Sequence, residues 1–269
     1  MCELFAMSSK VDTTVSFSLR ELSQHGGVSG THIDGWGVAT YQGINAFVYK
    51  EAEAAAFSQK MKFIQAHPYQ TRCVISHIRK ATIGEKTITN TQPFIRTING
   101  RSHVFAHNGH LPILEKKTEF NHCVLAGETD SEKAFCYLLS SLLPLWQKGE
   151  PELAQRVKII SKVFTELAEL GIANFLYSDG DYLFAFANRR IQRNGKIEAP
   201  GMHYLLRKCV YDKDSLNCAG VDIGCEPQQA LLFASVPLTS NEHWQPLPVG
   251  QLFVANFGDL VGNYQGQVN

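Results

Sequence analysis

Residues 129–171 hold two consecutive helical stripes, and what flanks them reads mostly as short strands; no other feature limits the fold so tightly. The first stripe opens at Thr129-Asp130-Ser131-Glu132, the pattern of a capping box. In such a box the threonine hydroxyl accepts from the amide three residues on and the glutamate reaches back. Phe135, Leu138, Leu139 and Leu142 then recur at helical spacing. A second helix is predicted from Pro151, a residue suited to a first turn, with Leu153, Val157, Ile160, Phe164 and Leu167 as its stripe and Gly171 as its stop. Upstream, residues 3–7, 35–41, 44–49, 72–77, 94–98 and 102–106 read as strands, the last two joined by the hairpin signal Asn99-Gly100. Downstream, 172–177 and 182–187 flank Asp179-Gly180, and further strands are expected at 202–207, 230–236 and 250–256. Residues 52–66 are alanine-rich and predicted helical. Residues 12–24 fit both periods; Asp12 as N-cap and Gly26-Gly27 as stop favour a helix. Strands at both ends with helices in the middle predict stacked sheets with helices outside.

The 269 residues contain no internal repeat, low-complexity tract or Pro/Gly/Ser linker, so one domain over 1–269 is expected. Lys+Arg and Asp+Glu both number 25, and the cancelled charge argues against nucleic acid or an anionic membrane as partner. No apolar run approaches the roughly 18 residues of a membrane span. Polar and charged residues (Glu3, Ser8, Ser9, Lys10, Asp12) come too early for a signal peptide, so the cytoplasm is the expected location. The seven cysteines are irregularly spaced and include no Cys-x-x-Cys, which predicts reduced thiols, not a disulfide framework or a zinc site.

Met1-Cys2 and five further short stretches that concentrate polar groups and glycine are the candidates for chemistry. Met1-Cys2 stands first: trimming of Met1 would leave Cys2 with both a thiol nucleophile and a free α-amine, whose reference pKa of about 7.7–8.0 suits a base at neutral pH. Asp34-Gly35-Trp36-Gly37 is either a turn beside a buried aromatic or a place where backbone closely approaches a ligand. Arg79, at a strand end with Thr82 three residues on, is either a surface cation or a bidentate partner for a carboxylate. Asn108-Gly109 is a turn by default; as donors, the asparagine amide and the next backbone N–H can form an oxyanion hole. Asp130 is favoured in a first helical turn by the helix dipole alone, and can equally bind an ammonium group. His103, His107 and His110 are close in sequence, but no third-ligand spacing accompanies them and no metal is expected. Taken jointly, carboxylate, ammonium and carbonyl partners around a thiol describe an amino acid with a side-chain amide.

The order of these stretches resembles that of the class II glutamine amidotransferases, N-terminal-nucleophile hydrolases. The resemblance rests on Met1-Cys2, Asp34-Gly35-Trp36-Gly37, His77-Ile78-Arg79-Lys80-Ala81-Thr82, His107-Asn108-Gly109 and Gly127-Glu128-Thr129-Asp130-Ser131-Glu132. It is most similar to the stand-alone YafJ-type branch, which Pro237-Leu238-Thr239-x-Asn241-Glu242-x-Trp244 also matches. The resemblance implies an α+β, four-layer αββα sandwich with two antiparallel sheets, and makes residues 12–24 helical. It implies Cys2 as nucleophile, Asn108 and Gly109 as oxyanion hole, Arg79 and Thr82 on the glutamine carboxylate, Asp130 on its ammonium, and no cofactor. Glutamine would yield glutamate and ammonia through a γ-glutamyl thioester, with any ammonia-accepting synthase supplied in trans. Lys80 and Ile83-Gly84 stand where synthase-linked members commonly have Trp and His-Gly. That departure motivates one alternative, a hydrolase of γ-glutamyl amides or peptides of a small metabolite; a second, against which the intact motif set argues, is a non-catalytic glutamine-binding subunit.

Overall fold

A computed structural model describes residues 2–116, 120, 123–209 and 228–265. In chain order the elements are β1 (Glu3–Thr13), α1 (Ser16–His25), β2 (Trp36–Gln42), β3 (Asn45–Glu51), α2 (Gln59–Ala66), β4 (Thr71–Ile78), β5 (Phe94–Ile98) and β6 (Arg101–His107). Then come α3 (Asp130–Trp146), α4 (Leu153–Glu169), β7 (Phe175–Ser178), β8 (Leu183–Ala187), β9 (Arg190–Ile191) and β10 (Ile197–Glu198). The remainder is β11 (His203–Cys209), β12 (Gln228–Ala234), β13 (Gln245–Pro246), β14 (Gln251–Asn256) and β15 (Asp259–Gln265).

Two antiparallel sheets result, β13-β11-β12-β1-β4-β2-β3 and β15-β14-β8-β7-β6-β5, with β9 and β10 as a separate small hairpin. Period-2 alternation decides what each strand face buries. Along β1, Phe5 and Met7 pack with Leu19 and Leu22 of α1, whereas Leu4 and Ala6 pack with Val104, Ala106 and Ala185 of the other sheet. On that second sheet Phe105, Phe175 and Phe186 meet Phe135, Phe164 and Leu167 of α3 and α4. Three apolar interfaces therefore separate four layers, which is the αββα sandwich.

Local chemistry accounts for the agreements and the differences. Asn99 and Gly100 both have positive φ (50° and 75°), as a two-residue β5–β6 hairpin demands. Asp12 does not cap α1; it lies at the end of β1, which runs longer than the apolar run predicted, and Val15 starts the helix without a side-chain cap. Residues 52–66 form only a short 3-10 turn and α2, because Ser58 accepts from the Met61 N–H and starts the helix late. Thr129 caps α3 as expected, accepting from the Glu132 N–H at 3.2 Å. The glutamate does not reach back to complete the box. Its carboxylate accepts from the Ala126 and Gly127 N–H groups and pairs with Arg96 instead. The reciprocal box is found on α4, between Glu152 and Gln155.

Glu242 and Trp244, matched by the resemblance but given no role by it, form a structural knot. Arg207 holds the Glu242 carboxylate with two bonds (2.7 and 2.6 Å), and Thr239 joins that carboxylate to the Trp244 indole N–H. The expectation of reduced thiols is overturned at one pair. Cys123 and Cys136 form a disulfide that ties the segment before Gly127 to α3, their Cα atoms 5.4 Å apart. Irregular spacing hid it because the bond depends on where the loop folds back, not on a sequence pattern. Cys2 and Cys73 are free thiols; Cys218 and Cys225 lie outside the described residues.

Candidate active site

The N-terminal end of β1 is the structural centre of the predicted site. Glu3 pairs with Ile78 at the end of β4, and the backbone ladder of β2 and β4 continues one step further through Arg79 N–H to Gly35 O (2.7 Å) and Asp34 N–H to Arg79 O (3.1 Å). Asp34 then accepts from the Ala81 N–H at 2.9 Å and turns the chain. The turn brings Lys80 backbone to Cys2: the sulfur accepts from the Lys80 N–H (3.4 Å) and the thiol donates to the Lys80 carbonyl (3.5 Å). Burial pushes the Cys2 thiol pKa up; the Lys80 N–H and the Arg79 guanidinium act against that, and Asp130 adds to it. Arg79 and Asp130, 51 positions apart in sequence, thus both place their charge on one sulfur. Met1 lies outside the described residues.

Arg79 is buried, and its guanidinium donates to three carbonyls of its own loop: Glu85 (2.9 Å), Ile83 (3.0 Å) and Gly84 (3.1 Å). These bonds wrap residues 83–85 around the cation and use donors that the sequence reading gave to a substrate carboxylate. Thr82 is exposed on that loop and does not join the buried cluster. Asp130, at the first position of α3, is buried; one carboxylate oxygen accepts from the Leu111 N–H at 2.7 Å and the other lies 3.3 Å from Ser131 Oγ.

Asn108 and Gly109 follow β6. The Asn108 main chain is held on both sides by Asn174: its N–H donates to the Asn174 carbonyl (2.9 Å) and its carbonyl accepts from the Asn174 amide (2.8 Å). A side chain at Gly109 has no room, since a Cβ would lie 1.8 Å from the Ile172 oxygen. The glycine is there for close backbone approach, not for a positive φ. Gly37 beside Trp36 serves packing in the same way: Trp36 is buried, and a Cβ on Gly37 would meet the Gln92 oxygen at 2.3 Å, whereas Gly35 also has a positive φ (145°).

The structure adds residues that the sequence did not single out. Asn90 is buried between the loop carrying Arg79 and the one carrying Asp130. Its amide donates to the Glu85 carbonyl and the Glu128 carboxylate and accepts from the Glu128 N–H. Gly84 and Gly127 both give way to it, which was the available signal. Gln92 receives the His107 N–H at 2.6 Å. His77, at the end of β4, is buried with neither ring nitrogen partnered, and burial holds its pKa well below the usual histidine value. Behind the nucleophile, Glu3 pairs with His25 at 2.6 Å. His103 and His107 use ring nitrogens on Tyr177, Ser131 and Ile172.

A cavity of about 790 Å³ lies at the opposite end of β1, among Ser8, Tyr41, Cys73, Asp181 and Phe257. Its arginines are already paired, Arg156 with Asp181 and Arg72 with Asp12, and no part of the predicted constellation reaches it.

Comparison with known proteins identifies the family. The sequence profile of the class II glutamine amidotransferases matches residues 1–268. YafJ of Escherichia coli strain K12, which carries a provisional glutamine amidotransferase name, is 34% identical over 97% of this chain and all of its own. A similarly named protein of Haemophilus influenzae is 32% identical, over 99% of this chain and 88% of that one. Among solved structures, a predicted glutamine amidotransferase from Pseudomonas aeruginosa PA01 superposes with a TM-score of 0.70 at 28% identity, over 97% of this chain and all of that one. The glutamine phosphoribosylpyrophosphate amidotransferase of B. subtilis shares the fold, with a TM-score of 0.64 at 17% identity over half of its chain. The chain belongs to the class II glutamine amidotransferase family, with the N-terminal-nucleophile hydrolase sandwich.

Proposed function

We propose that this protein is a glutamine amidohydrolase whose nucleophile is Cys2, acting within one domain. The observation that carries the reading is the convergence on one half-buried sulfur of the Lys80 backbone, the Arg79 cation and the Asp130 anion. Once Met1 is removed, the α-amine of Cys2 takes the thiol proton. A thiol raised by burial is a poor nucleophile on its own, so an adjacent base is needed. The sulfur attacks the side-chain carbonyl carbon of glutamine. The resulting oxyanion is received by the Gly109 N–H and the Asn108 amide. The protonated amine then returns its proton to the departing nitrogen, which leaves as ammonia. The γ-glutamyl thioester is hydrolysed by water to glutamate, regenerating the thiol. Asp130 holds the substrate ammonium, and Arg79 takes the carboxylate with the donors its loop leaves free. The ammonia goes to solvent or to a synthase partner in trans.

Turnover of glutamine, γ-glutamyl peptides and γ-glutamyl amides by Met1-free protein tests the reading. Glutamine is expected to give the largest kcat/KM, and Cys2→Ala to abolish it. Preference for a larger γ-glutamyl compound would replace glutamine as the substrate. Glutamine binding with no turnover of any substrate would make the chain a binding subunit.

A further inference from the structure

An oxyanion hole needs the nitrogen end of the Asn108 amide facing the substrate. In the structure the nitrogen instead faces Ser235 Oγ at 2.9 Å, and the amide oxygen is buried without a partner. Ser235 Oγ also accepts from the Leu4 N–H at 3.0 Å. It therefore serves as acceptor twice, and the one hydrogen it carries is not used on either contact. A half-turn of the amide pairs the oxygen and uses that hydrogen. The Ser235 hydroxyl then donates to the Asn108 oxygen while still accepting from Leu4. The Asn108 nitrogen moves to the buried position that lacks a partner, with its donors unspent. A buried polar group left unpaired costs about 1–3 kcal/mol in either orientation, and a substrate oxyanion removes that cost only for the turned amide, whose free NH2 donates to it.

Ser235 is itself fixed. It is fully buried where the chain leaves β12; its N–H donates to the Leu4 carbonyl (3.0 Å), and its own carbonyl accepts from Arg190 (2.7 Å). Leu4 is two residues from Cys2, so the same serine contacts the nucleophile's strand and the oxyanion donor. We propose that Ser235 is a positioning residue. Its hydroxyl accepts from Leu4 and has a hydrogen to donate, which holds the Asn108 orientation that presents NH2 to the oxyanion. This rests on the glutaminase reading for its catalytic meaning but not for its geometry.

A double-mutant cycle on Met1-free protein reads the first and neutron diffraction the second. Ser235→Ala is expected to lower kcat for glutamine about 10- to 100-fold, short of the roughly 100- to 1000-fold loss of an oxyanion donor outright. KM should change less than threefold, because Arg79 and Asp130 are untouched. In an Asn108→Ala background the same substitution should cost less than threefold, since there is no amide left to orient. Equal losses in both backgrounds, or none in either, overturn the proposal. If wild-type protein neither labels at Cys2 nor turns over glutamine, the glutaminase reading fails, and the orientation is still decided by a deuterated crystal. Deuterium on Ser235 Oγ directed at the Asn108 oxygen supports the inference, and an Asn108 N–D directed at Ser235 refutes it.

Discussion

Gly109→Ala converts the close approach behind the oxyanion hole into a measurable defect. The added Cβ would lie 1.8 Å from the Ile172 oxygen and 2.3 Å from His107 Nε2, where real contacts stay above 3.0 Å. The obstacle is backbone, and it is held by reciprocal hydrogen bonds between His110 and Ile172 (2.9 and 3.1 Å). The two segments must part by about 1.2 Å, so the new methyl group cannot be absorbed by a side-chain rotation. Overpacking of this kind costs about 1–3 kcal/mol, which for a chain of this size lowers Tm by roughly 2–12 °C. The Gly109 N–H moves with the backbone, and a misplacement of about 1 Å costs on the order of 100-fold in rate. Differential scanning calorimetry and a coupled glutamate assay read the two effects. Gly100→Ala is the control for backbone cost alone: Gly100, unlike Gly109, has a positive φ (75°), and its Cβ would meet nothing within 4 Å. It should lose about 1 kcal/mol of stability and keep its rate. A Gly109→Ala protein with unchanged Tm and a rate within threefold of wild type would refute the close-approach argument.

Three further outcomes are expected. Reducing the Cys123–Cys136 disulfide, or replacing both cysteines by serine, removes a cross-link of sequence separation 13 and should cost about 2–3 kcal/mol in urea unfolding; coincident curves with and without reductant would contradict this. Asn90→Ala releases the clamp between the Arg79 and Asp130 loops and should raise KM for glutamine about tenfold with kcat within threefold, whereas an unchanged KM would deny Asn90 that role. The Glu3–His25 pair gives a stability profile bounded on both sides: the Glu3 hydrogen bond raises the His25 pKa, so its contribution is full below the unfolded histidine pKa of about 6.5 and fades as pH rises through the higher folded value. On the acid side Glu3, lowered by His25 against the cost of its own burial, loses its contribution as pH falls through its depressed value. His25→Gln should flatten urea-derived stability across the alkaline limb; an unaltered slope there would show that the pair does not titrate with folding.

Much of the fold was legible because the dominant signals are local. The α3 and α4 stripes and the Asn99-Gly100 hairpin follow from side-chain period and turn chemistry, which need only neighbouring residues. Periodicity alone left residues 12–24 undecided, since Val15 and Leu19 satisfy both readings. The resemblance made them helical, and α1 is there, although Asp12 ended as strand. The two-residue strands β9, β10 and β13 and the exposed edge strand β15 carried too little apolar pattern to be seen. The chemical residue types were visible, since Cys2, Arg79, Asn108, Gly109 and Asp130 stand in distinctive local strings. Their supports were not. Asn90, Asn174 and Ser235 act through contacts that reach across as many as 231 positions, and a buried amide has no sequence signature until the partner strand is in place. The Cys123–Cys136 bond escaped for the same reason.

The most direct test of the Cys2 assignment is an intact-protein mass spectrum after incubation with an electrophilic glutamine analogue. The chain is predicted to lack Met1 and to carry one adduct, mapped by peptide sequencing to Cys2 and absent from Cys2→Ala. Met1-free protein that stays unmodified, or an adduct that persists in Cys2→Ala, would contradict it.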